Sequence, residues 1–318
     1  MIDRFGRRVT YLRVSLTNRC QLDCAYCTLQ DEPAEVLRAD EIERILRVAA
    51  ARLGFRKVRL TGGEPTLRRD LPDVVRRVGA ISGIREVALT TNGMLLERRA
   101  EELVAAGLAT VNVSLDSLRP DRFRELTGGG DVQEVVGGVR AARDAGVPNV
   151  KLNVVLMGGT NDDEIEDFID FSATERVEVR FIEHMPMDDK RVGEWQVEPR
   201  EVIRRLARER DVEPLPARKD GGPAERFRVG EAVIGFIHAM SNPFCDRCNR
   251  LRITSEGTIR SCLLSGGEVD LKAAIRAGGS EQEIDDRIEA LIREAGDAKP
   301  PIYDLHSSGA IAMRSIGG

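Results

Sequence analysis

Six cysteines are the residues of this 318-residue chain best suited to chemistry, and they fall into two groups of three. The first group has the spacing C-x3-C-x2-C and the second has the spacing C-x2-C-x13-C. Thiols this close together favour metal ligation over disulfides. The first group is Cys20, Cys24 and Cys27, and the second is Cys245, Cys248 and Cys262.

The number of thiols in each group limits which metal ion or cluster the group could bind. A 4Fe–4S cluster normally takes four thiolates, so three would leave one iron open to another ligand. Zinc prefers four protein ligands, and no histidine or fourth cysteine is near the first group in sequence. The second group has His238 as a candidate fourth ligand. Its spacing alone therefore leaves both zinc and an iron–sulfur cluster open.

Alternating strand and helix patterns predict the elements that position these thiols. Short segments rich in Val, Ile or Leu predict parallel strands buried on both faces. Helical periodicity separates them, as between Ile42 and Leu53, with Asp40 as a candidate cap and Gly54 as a stop. The predicted strands are Tyr11–Ser15, Lys57–Leu60, Glu86–Thr90, Thr110–Ser114, Asn149–Val155 and Glu178–Ile182.

Six strand–helix units predict an α/β fold, an incomplete (βα)6 TIM-like barrel whose open side is covered by a smaller C-terminal α+β domain. Loops after strand ends form the active face of such barrels, and Cys20 follows the first strand. Pro214–Pro223 has the composition of a linker, so the predicted domains are residues 1–220 and 221–318. The second domain is predicted to hold strands near Phe227–Ile237 and Arg252–Arg260 and helices near Leu271–Ala277 and Glu281–Glu294.

Composition and charge exclude several classes of protein. With 42% hydrophobic and 32% charged residues, the chain is an ordinary globular protein. A net charge of −5 argues against nucleic acid as a partner. No apolar run approaches the roughly 20 residues of a membrane helix, and the N-terminus has no apolar signal region. We therefore expect a cytoplasmic protein with neither nucleic acid nor membrane as a partner.

The first thiol group lies in a stretch that resembles the radical S-adenosylmethionine (SAM) superfamily. Tyr26 directly before Cys27 completes the superfamily's C-x3-C-x-aromatic-C signature, and Gly62-Gly63-Glu64-Pro65 resembles its GGEP loop. This resemblance implies a 4Fe–4S cluster whose open iron chelates SAM. It also implies that the GGEP backbone receives the SAM amino group, and glycine lets a backbone approach a ligand closely.

The second thiol group lies in a stretch similar to the GTP 3′,8-cyclase family of molybdenum cofactor synthesis. Pro243-Phe244-Cys245 and Asn249-Arg250-Leu251-Arg252 carry this resemblance, as does the Ile316-Gly317-Gly318 ending. Asn18, Leu22 and Thr66 stand where the family usually has Asp, Phe and Leu, and none of these departures removes a proposed ligand. The resemblance favours a second 4Fe–4S cluster over zinc.

Residue roles follow from the same resemblance. The two thiol groups would hold the two clusters, and Gly317 and Gly318 would act in catalysis. The residues matching SAM-binding positions are Tyr26, Gly62, Gly63, Glu64, Ser114 and Met185. The residues matching GTP-binding positions are Arg13, Lys57, Arg59, Thr90, Lys151, Arg180, Arg250, Leu251 and Arg252. On the six predicted barrel strands an inward charge without a partner is costly, and a triphosphate would supply the counter-charge. Five of the cations lie on these strands, namely Arg13, Lys57, Arg59, Lys151 and Arg180.

The implied reaction is the cyclisation of GTP to (8S)-3′,8-cyclo-7,8-dihydroguanosine 5′-triphosphate. A 5′-deoxyadenosyl radical would remove the ribose 3′ hydrogen, and the carbon radical would attack guanine C8. The implied partners are a flavodoxin- or ferredoxin-type electron donor, the downstream cyclic pyranopterin monophosphate synthase and a second copy in a homodimer. The alternatives are a peptide-modifying radical SAM maturase and a non-enzymatic zinc-binding module.

Overall fold

The computed structural model of the protein describes residues 1–27, 33–185, 195–217, 222–264 and 268–302. The predicted catalytic Gly317 and Gly318 lie outside these residues, as does the predicted domain boundary at Gly221. Within the described ranges, no helix has the length and apolar character needed to cross a membrane.

All six predicted strands are present. Each begins at the predicted residue and ends at the predicted residue or one beyond it. They are β1 (Tyr11–Ser15), β2 (Lys57–Thr61), β3 (Glu86–Thr91), β4 (Thr110–Ser114), β5 (Asn149–Leu156) and β6 (Glu178–Glu183).

Helices connect these strands and continue beyond them. Gly54 ends the first helix with a φ of 73°, as predicted, but Asp40 lies in its first turn and the N-cap is Arg38, so the predicted cap was wrong. Among the described residues the helices are α1 (Ala39–Leu53), α2 (Leu71–Gly79), α3 (Leu96–Ala105), α4 (Pro120–Thr127), α5 (Val132–Asp144), α6 (Ile165–Glu175), α7 (Pro199–Glu209), α8 (Leu271–Arg276) and α9 (Glu281–Asp297).

The later strands extend the same sheet at both of its ends. Its order is β12-β11-β10-β1-β2-β3-β4-β5-β6-β9-β8-β7. The neighbours from β10 to β9 are parallel, and the outer strands are antiparallel. Part of the predicted linker belongs to β7. The later strands are β7 (Val212–Leu215), β8 (Glu225–Val229), β9 (Ala232–Ile237), β10 (Arg250–Ile253), β11 (Thr258–Arg260) and β12 (Val269–Asp270).

The parallel strands are largely buried on both faces, as predicted, although only one of the two faces is mainly apolar. Leu12, Val58, Leu89, Val111 and Val179 alternate with polar residues and lie in the hydrophobic core with almost no exposure. The opposite face carries charged and amide side chains. A TIM barrel normally fills its interior with branched apolar side chains, so a polar interior indicates a binding site for a polar ligand.

Helix α9 is held against the barrel by its contacts with α1. Arg44, Arg47 and Arg52 of α1 form ion pairs with carboxylates of α9, and the buried Asp285 lies 3.0 Å from Arg44. The Met1 side chain lies against Gly296 at the last turn of α9. This packing fixes the position of the chain that follows α9.

Candidate functional site

The loop after β1 carries the first thiol group, and backbone hydrogen bonds hold it to the end of α4. The Asp23 N–H donates to Thr127 O at 2.8 Å, and the Ala25 N–H donates to Leu126 O at 2.8 Å. The Cys27 N–H donates to Cys24 O at 2.9 Å, which closes a turn between these two ligands. All three thiols are partly exposed and none is in a disulfide.

The Gly62-Gly63 pair packs against the segment that leads into this loop. The Gly63 N–H donates to Thr17 O at 2.7 Å, and a Cβ on Gly62 would lie 2.5 Å from that oxygen. A Cβ on Gly63 would collide with the Arg19 carbonyl. Glycine is required at both positions by this close backbone approach. An ammonium only donates hydrogen bonds, so a ligand amino group at this loop would bind carbonyl oxygens and not the Gly63 N–H.

Glu64 is fully buried and braces this loop against the end of β3. Its carboxylate accepts hydrogen bonds from Thr91 Oγ1 at 2.8 Å and from the Asn92 N–H at 2.6 Å. Thr66 adds two more, from its N–H and its hydroxyl. Burial raises the pKa of Glu64, although these hydrogen bonds oppose the rise. The Glu64 side chain therefore has a bracing position, and its predicted contact with a cofactor would have to come from the backbone.

Tyr26 is anchored by Asp116, a residue that the predicted site did not include. The Tyr26 hydroxyl donates to Asp116 at 2.7 Å, and the other Asp116 oxygen accepts the Val155 N–H at 2.8 Å. Burial raises the pKa of Asp116 to about 6 against these hydrogen bonds, and burial with the nearby Asp116 charge raises the pKa of Tyr26. Tyr26 is therefore a neutral donor held in one orientation beside Cys27.

Strand register brings the predicted GTP-binding cations onto the polar face. Arg13 lies between Arg59 on β2 and Arg252 on β10 as a Cα partner of each. On β10, β1 and β2 through β6 this face carries more cations than carboxylates, the latter being Glu86 and Glu178. The cations are Arg13, Lys57, Arg59, Lys151, Arg180, Arg250 and Arg252.

Two of these cations already have protein counter-charges, contrary to the prediction that a ligand must supply them. Lys57 Nζ lies 2.7 Å from Glu86, and Arg180 Nε lies 2.6 Å from Glu178. Arg59 donates to the Tyr11 hydroxyl at 2.6 Å. It also donates to Leu89 O at 3.0 Å and to Thr90 Oγ1 at 3.2 Å.

The excess positive charge lies where β1 meets β10. Burial and the neighbouring cations, Arg252 first, lower the pKa of Arg13 well below its usual range. Burial and Arg250 lower the pKa of Arg252 to about 10, although the thiols Cys262 and Cys248 act in the opposite direction. A bound polyanion would offset the mutual repulsion of the buried guanidinium groups at this junction.

Two asparagines that the predicted site missed also face the interior. Asn112 Oδ1 and Asn153 Oδ1 are buried and have no hydrogen-bond partner among the residues that the structure describes. A buried acceptor without a partner costs free energy, so both oxygens favour a ligand with N–H or O–H groups. Ser114 lies on the same face, two residues beyond Asn112 and opposite Asn153. The alternation of polar and apolar residues along β4 and β5 was the signal that could have identified them.

The second thiol group lines a solvent-open cavity of about 570 Å³. All three cysteines line it, together with the predicted GTP-binding Arg250 and Arg252. Met185 at the end of β6 lines it as well, so a predicted SAM contact and the second thiol group share one cavity. Leu251 does not, because its side chain is fully buried in the core, and only its backbone could contact a ligand.

The segment that carries Cys245, Cys248 and Cys262 is called the second thiol loop. Side chains from distant parts of the chain hold it in place. Arg7 Nε lies 2.6 Å from an oxygen of the Asp3 carboxylate. The Arg7 guanidinium also donates a hydrogen bond to Cys245 O at 2.8 Å. Glu183 at the end of β6 accepts the N–H groups of Met240 and Ser241 at 2.7 and 2.9 Å. The loop is therefore tied both to the N-terminal segment and to the barrel.

The thiol geometry bears on the choice between zinc and an iron–sulfur cluster. A zinc ion needs donors that converge on one point, whereas each thiolate of a cubane binds a different iron. Across the described ranges, no three His, Cys, Asp or Glu side chains converge as a single-ion site would require. The described residues therefore contain no preformed zinc site.

Comparison with known proteins shows the class of protein to which this chain belongs. Residues 14–172 match the radical SAM superfamily, and residues 177–305 match the family described as Molybdenum Cofactor Synthesis C. The fold is similar to that of Streptococcus suis SuiB bound to precursor peptide SuiA, with a TM-score of 0.62 and 17% identity. That similarity covers 91% of this chain and 67% of SuiB. The barrel and its C-x3-C-x2-C loop are thus those of a radical SAM protein.

Proteins with higher sequence identity to this chain show the family within this class. The chain is 42% identical to the GTP 3′,8-cyclase of Moorella thermoacetica over the full length of both. It is 45% identical to the GTP 3′,8-cyclase of Pelotomaculum thermopropionicum, over 96% of this chain and 95% of that protein. The chain belongs to the GTP 3′,8-cyclase family.

Proposed function

We propose that this protein cyclises GTP to (8S)-3′,8-cyclo-7,8-dihydroguanosine 5′-triphosphate, an early step of molybdenum cofactor synthesis. The observation that supports this most directly is the continuity of the polar barrel face with the second thiol cavity through Arg250 and Arg252. A triphosphate would lie against the excess cations, and its guanine would reach the cavity. Family membership over the whole chain supports the same substrate.

We assign the first thiol group to a 4Fe–4S cluster and SAM. Three thiolates leave one iron for the amino acid part of SAM. When bound, the cluster supplies the electron that cleaves SAM into methionine and a 5′-deoxyadenosyl radical. The chain's own contribution is orientation. Tyr26 is fixed by Asp116, and Asn112 and Asn153 offer unpaired acceptors to the SAM amino group or ribose hydroxyls.

The second thiol group fits a second 4Fe–4S cluster with an open iron facing guanine. Cys245, Cys248 and Cys262 all line the cavity that Arg250 and Arg252 border. Arg250 is held over the Phe244 ring, with its guanidinium carbon 4.7 Å from the ring centre. This stacking leaves the guanidinium edge available for hydrogen bonds to a phosphate or a base.

A peptide-modifying maturase is the second candidate, and it is not favoured. SuiB bound to precursor peptide SuiA shares the fold at 17% identity, which indicates fold and not substrate. A peptide would not require the buried cations at the junction of β1 and β10. The cyclase assignment accounts for them.

Anaerobic turnover with GTP, SAM and a reductant tests the proposed function. Mass spectrometry should show 5′-deoxyadenosine together with a cyclised isomer of GTP. GTP that stays unchanged while SAM is cleaved would contradict the proposed substrate. We further propose that a flavodoxin- or ferredoxin-type protein supplies electrons in the cytoplasm. A homodimer and transfer of product to cyclic pyranopterin monophosphate synthase also stay predictions.

Tyr11 should make GTP binding depend on pH. Burial would raise the pKa of Tyr11, but Arg59, Arg13 and Arg250 outweigh it and lower the pKa to about 8. Above that pH a phenolate competes with the triphosphate for these cations, and GTP binding must take up a proton. In the protein without GTP, the lowered pKa of Tyr11 increases the free energy of unfolding as pH rises above about 8. This stabilisation is lost as pH falls through about 8.

We therefore expect GTP affinity to fall by up to about tenfold per pH unit above pH 8. Calorimetry across this range should show the slope in the wild type and its absence in Tyr11→Phe. Tyr26→Phe is the matched control, because the pKa of Tyr26 is raised and its phenol stays neutral. An identical slope in the Tyr11→Phe variant would exclude this role.

Deleting Gly317 and Gly318 should reduce cyclised product strongly while leaving both clusters and GTP binding nearly intact. The prediction rests on the family resemblance, because both residues lie outside the described part of the structure. Glycine can enter a pocket too narrow for other residues, and ordering it costs backbone entropy. Product formation is compared at matched iron content, and equal rates would show the two glycines to be dispensable.

A further inference from the structure

Lys299 is a buried lysine that neither the predicted site nor the proposed function uses. It lies two residues after α9 and is 2% exposed, which is rare for lysine. Its ammonium donates to Arg250 O at 2.8 Å, to Ser261 O at 2.9 Å and to Cys248 Sγ at 3.5 Å.

These three acceptors belong to both arms of the second thiol loop. Cys248 and Arg250 lie in the C-x2-C arm, and Ser261 directly precedes Cys262. An ammonium has three N–H donors and no acceptor, so three partners saturate it. One side chain thus ties the two arms that must present their thiolates to a single group.

The charge of Lys299 needs a counter-charge. Burying an ammonium costs free energy unless it is paired. Lys299 forms no ion pair with any carboxylate of the described residues, and two of its three partners are neutral carbonyls. Its remaining partner is Cys248 Sγ, which becomes anionic when it ligates a metal.

We propose that Lys299 is a positioning residue of the second cluster, which holds the arms of Cys248 and Cys262 together and makes the cluster easier to reduce. This inference rests on the proposed assignment of an iron–sulfur cluster to that loop. Reduction adds negative charge to the cluster and its sulfurs. Hydrogen bonds and charges around those sulfurs set the potential, so a fixed ammonium stabilises the reduced form more than the oxidised form.

A chain with Cys20, Cys24 and Cys27 all replaced by alanine isolates the second cluster for the test. In that background, reconstituted Lys299→Met and Lys299→Gln are compared with unsubstituted Lys299 by redox titration monitored with electron paramagnetic resonance. We expect Lys299→Met to lower the reduced-to-oxidised ratio at fixed potential about tenfold, a negative shift of about 59 mV. Lys299→Gln keeps an N–H donor without the charge and should lie between.

Lys272→Met is the matched control, because among the described residues Lys272 donates only to Glu35 O, at 3.3 Å, and its replacement should leave the potential unchanged. In the otherwise wild-type chain, loss of the second cluster alone from both Lys299 variants, with the first retained, would also support the positioning role. Unchanged potential and iron content in both variants would overturn it while leaving the second cluster assigned. Absence of iron from the unsubstituted second site would instead overturn the proposed function.

Discussion

Arg252→Met is expected to weaken GTP binding about 10- to 150-fold. The loss corresponds to about 1.5–3 kcal/mol, the scale of a charge-assisted hydrogen bond. Arg252 is buried, and burial with Arg250 lowers its pKa to about 10, so the empty site holds a disfavoured cation. Methionine removes that charge from the site and retains an apolar stem of similar length.

Calorimetric GTP titration measures the loss of affinity, and chemical denaturation of the same sample checks that the fold is retained. Arg228→Met is the matched control, because this strand arginine is 49% exposed and should not change GTP affinity appreciably. SAM cleavage without substrate should persist in Arg252→Met. Normal GTP affinity combined with lost SAM cleavage would place Arg252 at the first cluster and contradict its assignment to GTP.

Replacing Cys245, Cys248 and Cys262 together with alanine is expected to halve the iron content and abolish cyclised product. Two cubanes give about eight irons per chain, and one gives about four. SAM cleavage should continue, because the first thiol group is held by α4 and the Gly62-Gly63 pair and does not depend on the second loop. Iron analysis and mass spectrometry of anaerobically prepared protein measure both quantities.

The complementary variant sharpens this test. Alanine at Cys20, Cys24 and Cys27 should also leave about four irons but eliminate SAM cleavage. The two triple variants therefore have equal iron content and opposite chemistry. Stoichiometric zinc and little iron in the unsubstituted protein would exclude the two-cluster assignment.

The strands could be predicted from sequence because their β-branched cores and flanking breakers are local signals. Each of the six began where the pattern placed it. The joining of β10 to β1 could not be predicted, since it depends on pairing between residues far apart in the chain. The polar interior was visible in the alternation of Leu12 and Val14 with Tyr11 and Arg13, and cations on the inward face of the strands were already expected.

Some residues of the candidate site could also be predicted from sequence, and others could not. The cysteine groups and the strand cations could be predicted because residue type and spacing alone indicate their chemistry. Asp116, Arg7 and Lys299 were missed because their roles depend on which distant atom each one reaches. The pairing of Lys57 with Glu86 was missed for the same reason, since their Cα register exists only once β2 and β3 align.

The pairing of β1 with β10 has a consequence for synthesis. The ribosome delivers the amino-terminal strands first, and such segments begin to fold before the rest emerges. The edge of β1 that pairs with β10 therefore lacks its partner until Arg250 to Ile253 leave the ribosomal exit tunnel. A strand edge without a partner can pair with a strand of another molecule. Nascent chains arrested before this point should be prone to aggregation, and a chaperone that shields the β1 edge would protect them.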